Sequence, residues 1–276
     1  MAFMRRLSLD GRVALVMGAG GGGIGTQTSL ALAEAGATVV AVDVSEEQVR
    51  DTEARIAAAG GRCAGHVADA RDAGAVARIV QESWDEHGAI DHLVNVVGGS
   101  RRGQWRRAEE YPEDMFDAVI EFNLRTHFLA CREVGRRMIE HGVAGSIVNF
   151  SSIAGLHMLP YQIGYGAAKA AVINLTRALA VEWGPHGIRV NAIAPGGGID
   201  TPRVMTPESR REDPIYGPAN WNPLARSLDP EELAAAALFL VSDLASAVTG
   251  QTLTVDAGVT SRMPSGGLDV YGRYLP

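Results

Sequence analysis

Three side chains in the stretch 151–169 could carry out proton transfer: the hydroxyl of Ser152, the phenol of Tyr165 and the ammonium of Lys169. Tyr165 and Lys169 are four residues apart, so a helix through this region places them on one face. A tyrosine normally titrates near ~10, and a neighbouring positive charge favours its ionised form. Tyr165 could then exchange a proton near neutral pH. A Tyr-x-x-x-Lys pair also occurs by chance in many helices, so other features of the sequence are needed to identify the pair as catalytic.

The composition is typical of a globular protein with a sizeable core, since 46% of the 276 residues are hydrophobic and 21% are charged. The net charge of -7 argues against general nucleic-acid binding. Cys63 and Cys131 are too few for a disulfide framework and fit a reducing compartment. No apolar stretch follows the N-terminal arginines, and the longest apolar run, residues 233–241, is too short to span a membrane. We therefore expect a cytoplasmic protein with neither nucleic acid nor membrane as a partner.

Short apolar segments alternate with helical patterns along the chain. Strands are predicted at residues 13–17, 37–42, 62–67, 90–97, 146–150, 189–193 and 251–255. Helices are predicted at residues 24–35, 46–59, 73–87, 115–139, 165–183 and 230–241. Strands that are apolar on both faces and alternate with helices indicate a parallel sheet covered on both sides. The sequence thus predicts one doubly wound α/β domain over residues 1–276, with about seven strands and helices on both faces.

A glycine-rich loop, GAGGGGIG from Gly18 to Gly25, joins the first predicted strand to the first predicted helix. Glycines in this position permit a tight turn, a close approach of backbone to a pyrophosphate, and close helix–strand packing. The following helix N-terminus favours a phosphate through its free N–H groups. Such a loop could also be a flexible connector, but its place in an alternating chain favours dinucleotide binding.

Asp43 ends the second predicted strand, 18 residues after Gly25, where an acid can bind the adenosine ribose hydroxyls. Its carboxylate would repel a 2′-phosphate, and no arginine follows it directly, so NAD is predicted in preference to NADP. As an alternative, Asp43 could cap the next helix, although Ser45 is better placed for that. Asp69 lies at the same predicted edge and could meet the adenine amino group, or could be only a turn residue.

The motifs stand in an order that resembles the short-chain dehydrogenase/reductase family over residues 9–258. The glycine loop is similar to the family's TGxxxGIG, YGAAK at residues 165–169 to its YxxxK, and VNFSSIAG to the stretch that carries its serine. NAIAPGGGIDTP resembles the family's PG motif, and VTGQTLTVDAG its closing strand. The resemblance implies the compact single-domain type with a Rossmann fold.

The resemblance also implies a role for each matching residue. Tyr165 would exchange a proton with the substrate oxygen, and Lys169 would lower the pKa of Tyr165 and hold the nicotinamide ribose. Ser152 would hydrogen-bond the substrate oxygen; Ser151 is the alternative, but the distance of 13 residues to Tyr165 favours Ser152. Asn123 would position a water for proton exchange, whereas without the family it would read as an ordinary helix residue.

For the cofactor, the resemblance implies contacts with Gly18, Gly22, Gly23, Ile24, Asp43, Asp69, Ala70, Asn95, Tyr165, Lys169, Pro195, Ile199 and Thr201. The chain departs from the family pattern in four places. One extra residue stands between Gly18 and Gly23, Met17 replaces a threonine, one extra glycine precedes Ile199, and the family's NNAG is Asn95-Val96-Val97-Gly98 here. Because each extra glycine lies in a loop that contacts the cofactor, the residue whose backbone makes a given contact can differ by one position from the family pattern.

The substrate side is less well specified. Residues 202–228 contain Trp221 among other aromatic and apolar residues and are predicted to form a lid; local surface packing is the alternative. Ser152, Tyr165, Tyr161 and Trp221 are the predicted substrate contacts. The basic loop 101–107 could bind an acidic group, although pairing with Glu109 and Glu110 is favoured. No histidine spacing indicates a metal site.

Together these features predict an oxidoreductase that transfers a hydride between NAD(H) and a secondary alcohol or ketone, acting on CH–OH groups, with Tyr165 as the acid/base. The alternatives are a 3-oxoacyl-carrier-protein reductase-like enzyme, which usually uses NADPH, and a non-catalytic nucleotide-binding regulator. The family implies a homotetramer, with a dimer second, and residues 259–276 are predicted to form a C-terminal tail.

Overall fold

In the computed structural model, seven parallel strands form one sheet in the order β3-β2-β1-β4-β5-β6-β7. The structure describes residues 3–157, 159–196, 198–201, 222–224 and 226–261. The strands are β1 (Val13–Met17), β2 (Thr38–Asp43), β3 (Arg62–Val67), β4 (His92–Asn95), β5 (Ser146–Phe150), β6 (Arg189–Pro195) and β7 (Thr252–Val255). The helices are α1 (Ile24–Glu34), α2 (Glu46–Ala58), α3 (Ala73–His87), α4 (Glu113–Ile120), α5 (Thr126–His141), α6 (Ile163–Trp183) and α7 (Pro230–Val241). The predicted doubly wound parallel sheet is confirmed.

Both faces of the sheet are covered by helices. Along β1, Val13, Leu15 and Met17 pack in a core with α3, α5 and α6. Ala14 and Val16 face the other side and pack with α1, α2 and α7. Because both sides of the central strands are buried, these strands are apolar without alternation. The edge strands β3 and β7 are partly exposed.

The order of the strands reverses between β1 and β4, which lie side by side. In a sheet of this kind, ligands bind in the crevice beyond the carboxyl ends of the strands at the reversal. The register pairs Met17 with Asn95 and Asn95 with Asn149, so β1, β4 and β5 end close together. This edge therefore brings together the glycine loop, the loop after Asn95 and the serines after Phe150.

The helix predicted over residues 115–139 is interrupted. A π-helical turn, Glu121–Arg125, separates α4 from α5. Within it, the Asn123 side chain donates a hydrogen bond from Nδ2 to the Val119 carbonyl, at 3.1 Å. The prediction of one continuous α-helix was wrong, because apolar periodicity does not register a side chain that competes for backbone carbonyls.

Two predicted boundaries also move at the edge where ligands bind. β4 ends at Asn95 rather than Val97, because the N–H groups of Val96 and Val97 both donate to the Met17 carbonyl instead of extending the ladder. α6 begins at Ile163, two residues before Tyr165, so Tyr165 lies in its first turn.

Most of the predicted lid, including Trp221, and most of the predicted tail lie outside the described residues. Among the helices described, none is long and apolar enough to cross a membrane.

Gly135 tests how tightly α5 packs against α6. A Cβ atom at Gly135 would overlap the ring of Trp183, the last residue of α6. We predict that Gly135→Ala destabilises the protein by about 1–3 kcal/mol despite the better helix propensity of alanine. The control is Gly184→Ala, where φ is -53° and a Cβ meets nothing within 4 Å. The free energy of unfolding of Gly184→Ala, measured with urea, should be higher by up to about 1 kcal/mol. Equal stability of the two variants would contradict the packing described.

Candidate active site

Lys169 is the centre of the candidate site and the only lysine in the sequence. It lies on α6, is 2% exposed, and its Nζ donates a hydrogen bond to the Phe150 carbonyl at the end of β5, at 2.8 Å. Burial lowers its pKa from 10.5 to about 7. A buried cation with one hydrogen bond, to a carbonyl, among the described residues is costly, and such groups are typical of functional sites.

Tyr165 lies one turn before Lys169 on the same helix, as the spacing predicts. The Lys169 Nζ is 5.9 Å from the centroid of the Tyr165 ring, within the range of a cation–π contact. The phenol is partly exposed, whereas the ammonium is buried. The pair therefore combines a side chain that a substrate can reach with a positive charge behind it.

The two serines after β5 have different environments. The Ser151 hydroxyl donates to the backbone carbonyl of Lys169, at 2.8 Å, and so holds α6 against the strand. The Ser152 Oγ accepts a hydrogen bond from the Ala154 N–H, at 3.1 Å. Its hydroxyl hydrogen has no acceptor among the described residues. Ser152 is thus the serine that can donate to a bound oxygen, which supports the sequence-based choice.

Asn123 fastens the loop after β4. Its Oδ1 accepts from the Gly99 N–H at 2.7 Å, and its Nδ2 donates to the Gly99 carbonyl at 3.1 Å. At Gly98, where φ is +146°, a Cβ would lie 2.7 Å from the Lys169 Nζ and 2.8 Å from the Asn123 Oδ1. Glycine is needed there because the backbone passes directly over both groups. The motif comparison named Gly98 only as part of the counterpart of NNAG and gave neither Gly98 nor Gly99 a role, although their position after a strand at the ligand edge was an available signal.

The glycine loop adopts a conformation that only glycine accepts easily. Gly18, Gly21 and Gly22 have φ values of +86°, +85° and +66°. α1 begins directly after Gly23, and no side chain caps its N-terminus. A Cβ at Gly25 would overlap the Gly18 carbonyl, so α1 packs tightly on the loop. This arrangement leaves a helix N-terminus free for a phosphate.

The two acids predicted to contact the cofactor have protein partners. Asp43 is 8% exposed, and its carboxylate accepts from the Gly20 N–H at 3.0 Å and the Ser45 N–H at 3.3 Å. Asp69 is held by two nitrogens of Arg71, at 3.0 and 2.6 Å, and this hydrogen bonding lowers the pKa of Asp69. Asp43 therefore fixes the glycine loop at Gly20, and Asp69 holds the guanidinium of Arg71.

Thr201 lies beside the last part of the glycine loop. Its methyl group lies close to Gly23, since a Cβ there would be 3.3 Å from the Thr201 Cγ2. Its hydroxyl is buried and has no hydrogen-bond partner among the described residues. Ile199, two residues earlier, is fixed by a parallel bridge to Leu228, beyond the end of β6 at Pro195. A group between these segments that accepts a hydrogen bond would satisfy the hydroxyl, so the residues present fit a dinucleotide cofactor.

Two predicted cofactor contacts have side chains that point into the core. Asn95 donates from Nδ2 to the Asn149 Oδ1 at 2.8 Å and to the Cys131 Sγ at 3.4 Å. Ala70 is buried against α3. Only their backbone groups are left to face a ligand.

Tyr161 lies beside a cavity of about 720 Å³ on the outer side of α6. Arg107, Leu156 and Ala167 also line this cavity, but Ser152 and Tyr165 do not. The Arg106 N–H donates to the Tyr161 carbonyl at 3.0 Å, which ties the basic loop to the chain before α6. In that loop, Arg107 lies 3.9 Å from Glu109, in line with the pairing favoured from the sequence.

Comparison with known proteins decides the family. Residues 18–260 match the family model described as "Enoyl-(Acyl carrier protein) reductase", and relatives above 30% identity cover most of the chain. The chain belongs to the short-chain dehydrogenase/reductase family. Members of this family are oxidoreductases that use nicotinamide cofactors, so the resemblance read from the motifs is confirmed.

Three similar proteins illustrate the range of the family. D-threitol dehydrogenase of Mycolicibacterium smegmatis is 37% identical over 91% of this chain and 94% of its own length. The 3-oxoacyl-[acyl-carrier-protein] reductase FabG of Thermotoga maritima is 39% identical over 92% of this chain and 99% of its own. The structure of a 7α-hydroxysteroid dehydrogenase with NADH and 7-oxo glycochenodeoxycholic acid has a TM-score of 0.82 and 32% identity, covering 92% of this chain and 96% of that one.

The buried ammonium predicts a pH-dependent stability. Because the pKa of Lys169 falls from 10.5 to about 7 on folding, the unfolded chain binds more protons than the folded one between these values. Stability from this group therefore rises as pH increases from about 7 to about 10. We predict that Lys169→Met stabilises the protein by on the order of 3 kcal/mol below pH ~7, and that the gain shrinks toward pH ~10. Arg177→Met, an exposed change on the same helix, is the control in urea unfolding. A gain for Lys169→Met that is independent of pH would contradict this assignment.

Proposed function

We propose that the protein is an NAD-dependent dehydrogenase that interconverts a secondary alcohol and its ketone. The observation that carries the proposal is the Lys169 ammonium, buried against the Phe150 carbonyl and 5.9 Å from the centroid of the Tyr165 ring. A phenol beside a buried cation, and a serine whose hydroxyl hydrogen has no acceptor among the described residues, provide the groups that proton exchange with an alcohol requires.

In this proposal Tyr165 is the acid/base and Ser152 holds the reacting oxygen. When the alcohol is oxidised, its hydroxyl proton passes to Tyr165, while Ser152 donates a hydrogen bond to the same oxygen. The positive charge of Lys169 favours the phenolate that accepts this proton. A bound nicotinamide cofactor would supply the hydride acceptor for the oxidation and the hydride donor for the reverse reaction. Asn123 keeps Gly98 and Gly99 in place over Lys169, so its side chain acts on the shape of the site.

The glycine loop, the start of α1 and Thr201 would hold the cofactor, with backbone groups near Asn95, Ala70 and Pro195. Two observations favour NAD. The Asp43 carboxylate at the end of β2 would repel a 2′-phosphate, and the N–H groups of Gly20 and Ser45 hold it in place there. Arg71, which could otherwise bind a 2′-phosphate, is held by Asp69. The similar 7α-hydroxysteroid dehydrogenase was crystallised with NADH.

A 3-oxoacyl-carrier-protein reductase-like activity is the second candidate, and the similarity to the Thermotoga maritima FabG favours it. The two activities differ in the preferred cofactor and in the substrate, so turnover of β-ketoacyl thioesters with NADPH would favour the reductase. A non-catalytic nucleotide-binding regulator is a third possibility, which Ser152, Tyr165 and Lys169 in one cluster argue against.

The proposal includes a homotetramer in the cytoplasm, with a dimer as the alternative assembly. Phe128 on α5 and Val181 on α6 are 44% and 79% exposed, although both are large and apolar. Exposed apolar side chains on these two helices are suited to contact between subunits.

Tyr165→Phe tests the acid/base assignment. The variant lacks the phenol oxygen, so we predict that it keeps NAD binding and loses at least about 10³-fold in turnover of secondary alcohols. Tyr111→Phe, at the half-buried residue just before Pro112 and α4, removes a phenol hydroxyl outside the proposed proton transfer and is the matched control. The measurements are NAD affinity by calorimetry and NADH formation by absorbance. Turnover in Tyr165→Phe close to that of Tyr111→Phe would disprove the role of Tyr165.

Asp43→Asn tests the cofactor preference. The amide retains one acceptor oxygen for the glycine loop but removes the charge that repels a 2′-phosphate. We expect the ratio of NAD to NADP affinity to fall about tenfold, which corresponds to about 1.4 kcal/mol. Asp51→Asn, an exposed change on α2, should leave the ratio unchanged. If Asp43→Asn leaves the ratio unchanged as well, Asp43 does not select the cofactor.

A further inference from the structure

A connected group of buried polar side chains lies beneath the candidate active site. Asn95 and Asn149 are paired across β4 and β5, and the Asn95 Nδ2 donates to the Asn149 Oδ1 at 2.8 Å. The Asn149 Nδ2 donates to the Thr176 Oγ1 on α6, at 3.1 Å. The Cys131 Sγ on α5 donates to the same Asn149 Oδ1, at 3.4 Å. All four residues are buried. Apolar side chains of the same shape can replace a buried hydrogen-bonded pair at little cost, so the Asn149 amide needs an explanation other than filling the core.

Three consecutive residues, Asn149, Phe150 and Ser151, each make a hydrogen bond to α6. The Phe150 carbonyl accepts from the Lys169 Nζ at 2.8 Å, and the Ser151 hydroxyl donates to the Lys169 carbonyl at 2.8 Å. Both of these bonds end on one residue of the helix. The bond from Asn149 ends on Thr176, seven residues or about two turns further along α6. It therefore supplies a second point of attachment, which fixes the direction of the helix as well as its position.

The apolar contacts of α6 in the core on this side of the sheet lie in its last turns, at Leu179, Ala180 and Trp183. Apolar contacts are non-directional, so they tolerate small shifts of a helix. A hydrogen bond weakens steeply when its geometry is distorted. The bond to Thr176 is thus well suited to fix where Lys169 stands over the Phe150 carbonyl.

The titration of Lys169 can report this position. Burial lowers the pKa of Lys169 to about 7. The Tyr165 ring centroid is 5.9 Å from the Lys169 Nζ, and His127 and Cys131 lie on α5. Burial lowers the pKa of His127 well below its ordinary value and raises that of Cys131 to about 12, so both are uncharged near neutral pH. A change in the pKa of Lys169 therefore measures a change in how far its ammonium is shielded from water.

We propose that Asn149 is a positioning residue for Lys169: its amide joins β4 and α5 to α6 and holds the helix where the ammonium meets the Phe150 carbonyl. Asn149 acts through Thr176, because its own side chain lies in the core. The proposal rests on the role of Lys169 in the proposed dehydrogenase, but its test uses the protein without cofactor or substrate. A failed dehydrogenase assay would therefore contradict the proposed function and not the role of Asn149.

The experiment compares Thr176→Val, which keeps the shape of the side chain but removes the hydroxyl, with Thr176→Ser, which keeps the hydroxyl. Labelling the lysine side chain with ¹³C at Cε gives one NMR signal, since the chain has one lysine. In Thr176→Val and in Asn149→Leu, α6 is released from β5 at this point, and water reaches the ammonium more easily. We expect the pKa of Lys169 to rise in both by about 1, a tenfold change in proton affinity. Thr176→Ser should titrate like the unmodified protein.

Cys131→Ala is the control for a loss of stability that leaves the bond between Asn149 and Thr176 intact. It should lower the free energy of unfolding in urea and leave the Lys169 titration unchanged. A merely structural role for Asn149 would lower the stability of Thr176→Val without moving the Lys169 pKa, and that result would overturn the proposal. An equal change in Cys131→Ala and Thr176→Val would overturn it as well. If Asn149→Leu does not fold, the two Thr176 variants decide.

Discussion

The hydrogen bond from the Lys169 ammonium to the Phe150 carbonyl is the interaction on which the candidate site depends. It joins the second turn of α6 to the end of β5 and fixes a positive charge inside the protein. Burial of that charge is unfavourable, as the lowered pKa of Lys169 shows. The buried charge destabilises the protein, but it lies where it can act on the neighbouring Tyr165. Functional sites commonly lower stability in this way.

Several local features hold this interaction in place. Ser151 bonds the Lys169 carbonyl, so the helix cannot slide along the strand. Gly98 has no side chain that could displace the ammonium, and Asn123 fastens the next residue through both of its amide atoms. The π-helical turn is what brings Asn123 into the interior. Ser151, Gly98 and Asn123 therefore act together, because a change at any of them alters the surroundings of the Lys169 ammonium.

The repeating part of this architecture could be predicted from the sequence, because it follows from apolar periodicity and glycine placement. The strands, the glycine loop and the i, i+4 spacing of Tyr165 and Lys169 belong to that part. The rest depends on contacts between distant segments. Thr201 reaches Gly23, and the Gly98 backbone crosses Lys169. The sequence pattern of one helix or strand contains no information on contacts with distant segments. The interrupted helix was mispredicted for the same reason, since a side-chain bond rather than periodicity determines it.

The most direct measurement of the central claim is the titration of the one lysine in the free, unmodified protein, followed through its ¹³C-labelled Cε by NMR. If Lys169 is buried against the Phe150 carbonyl as described, its pKa is near 7. A lysine that titrates near its ordinary value of 10.5 would contradict the account, because the ammonium would then be solvated and could not act as the enclosed charge behind Tyr165.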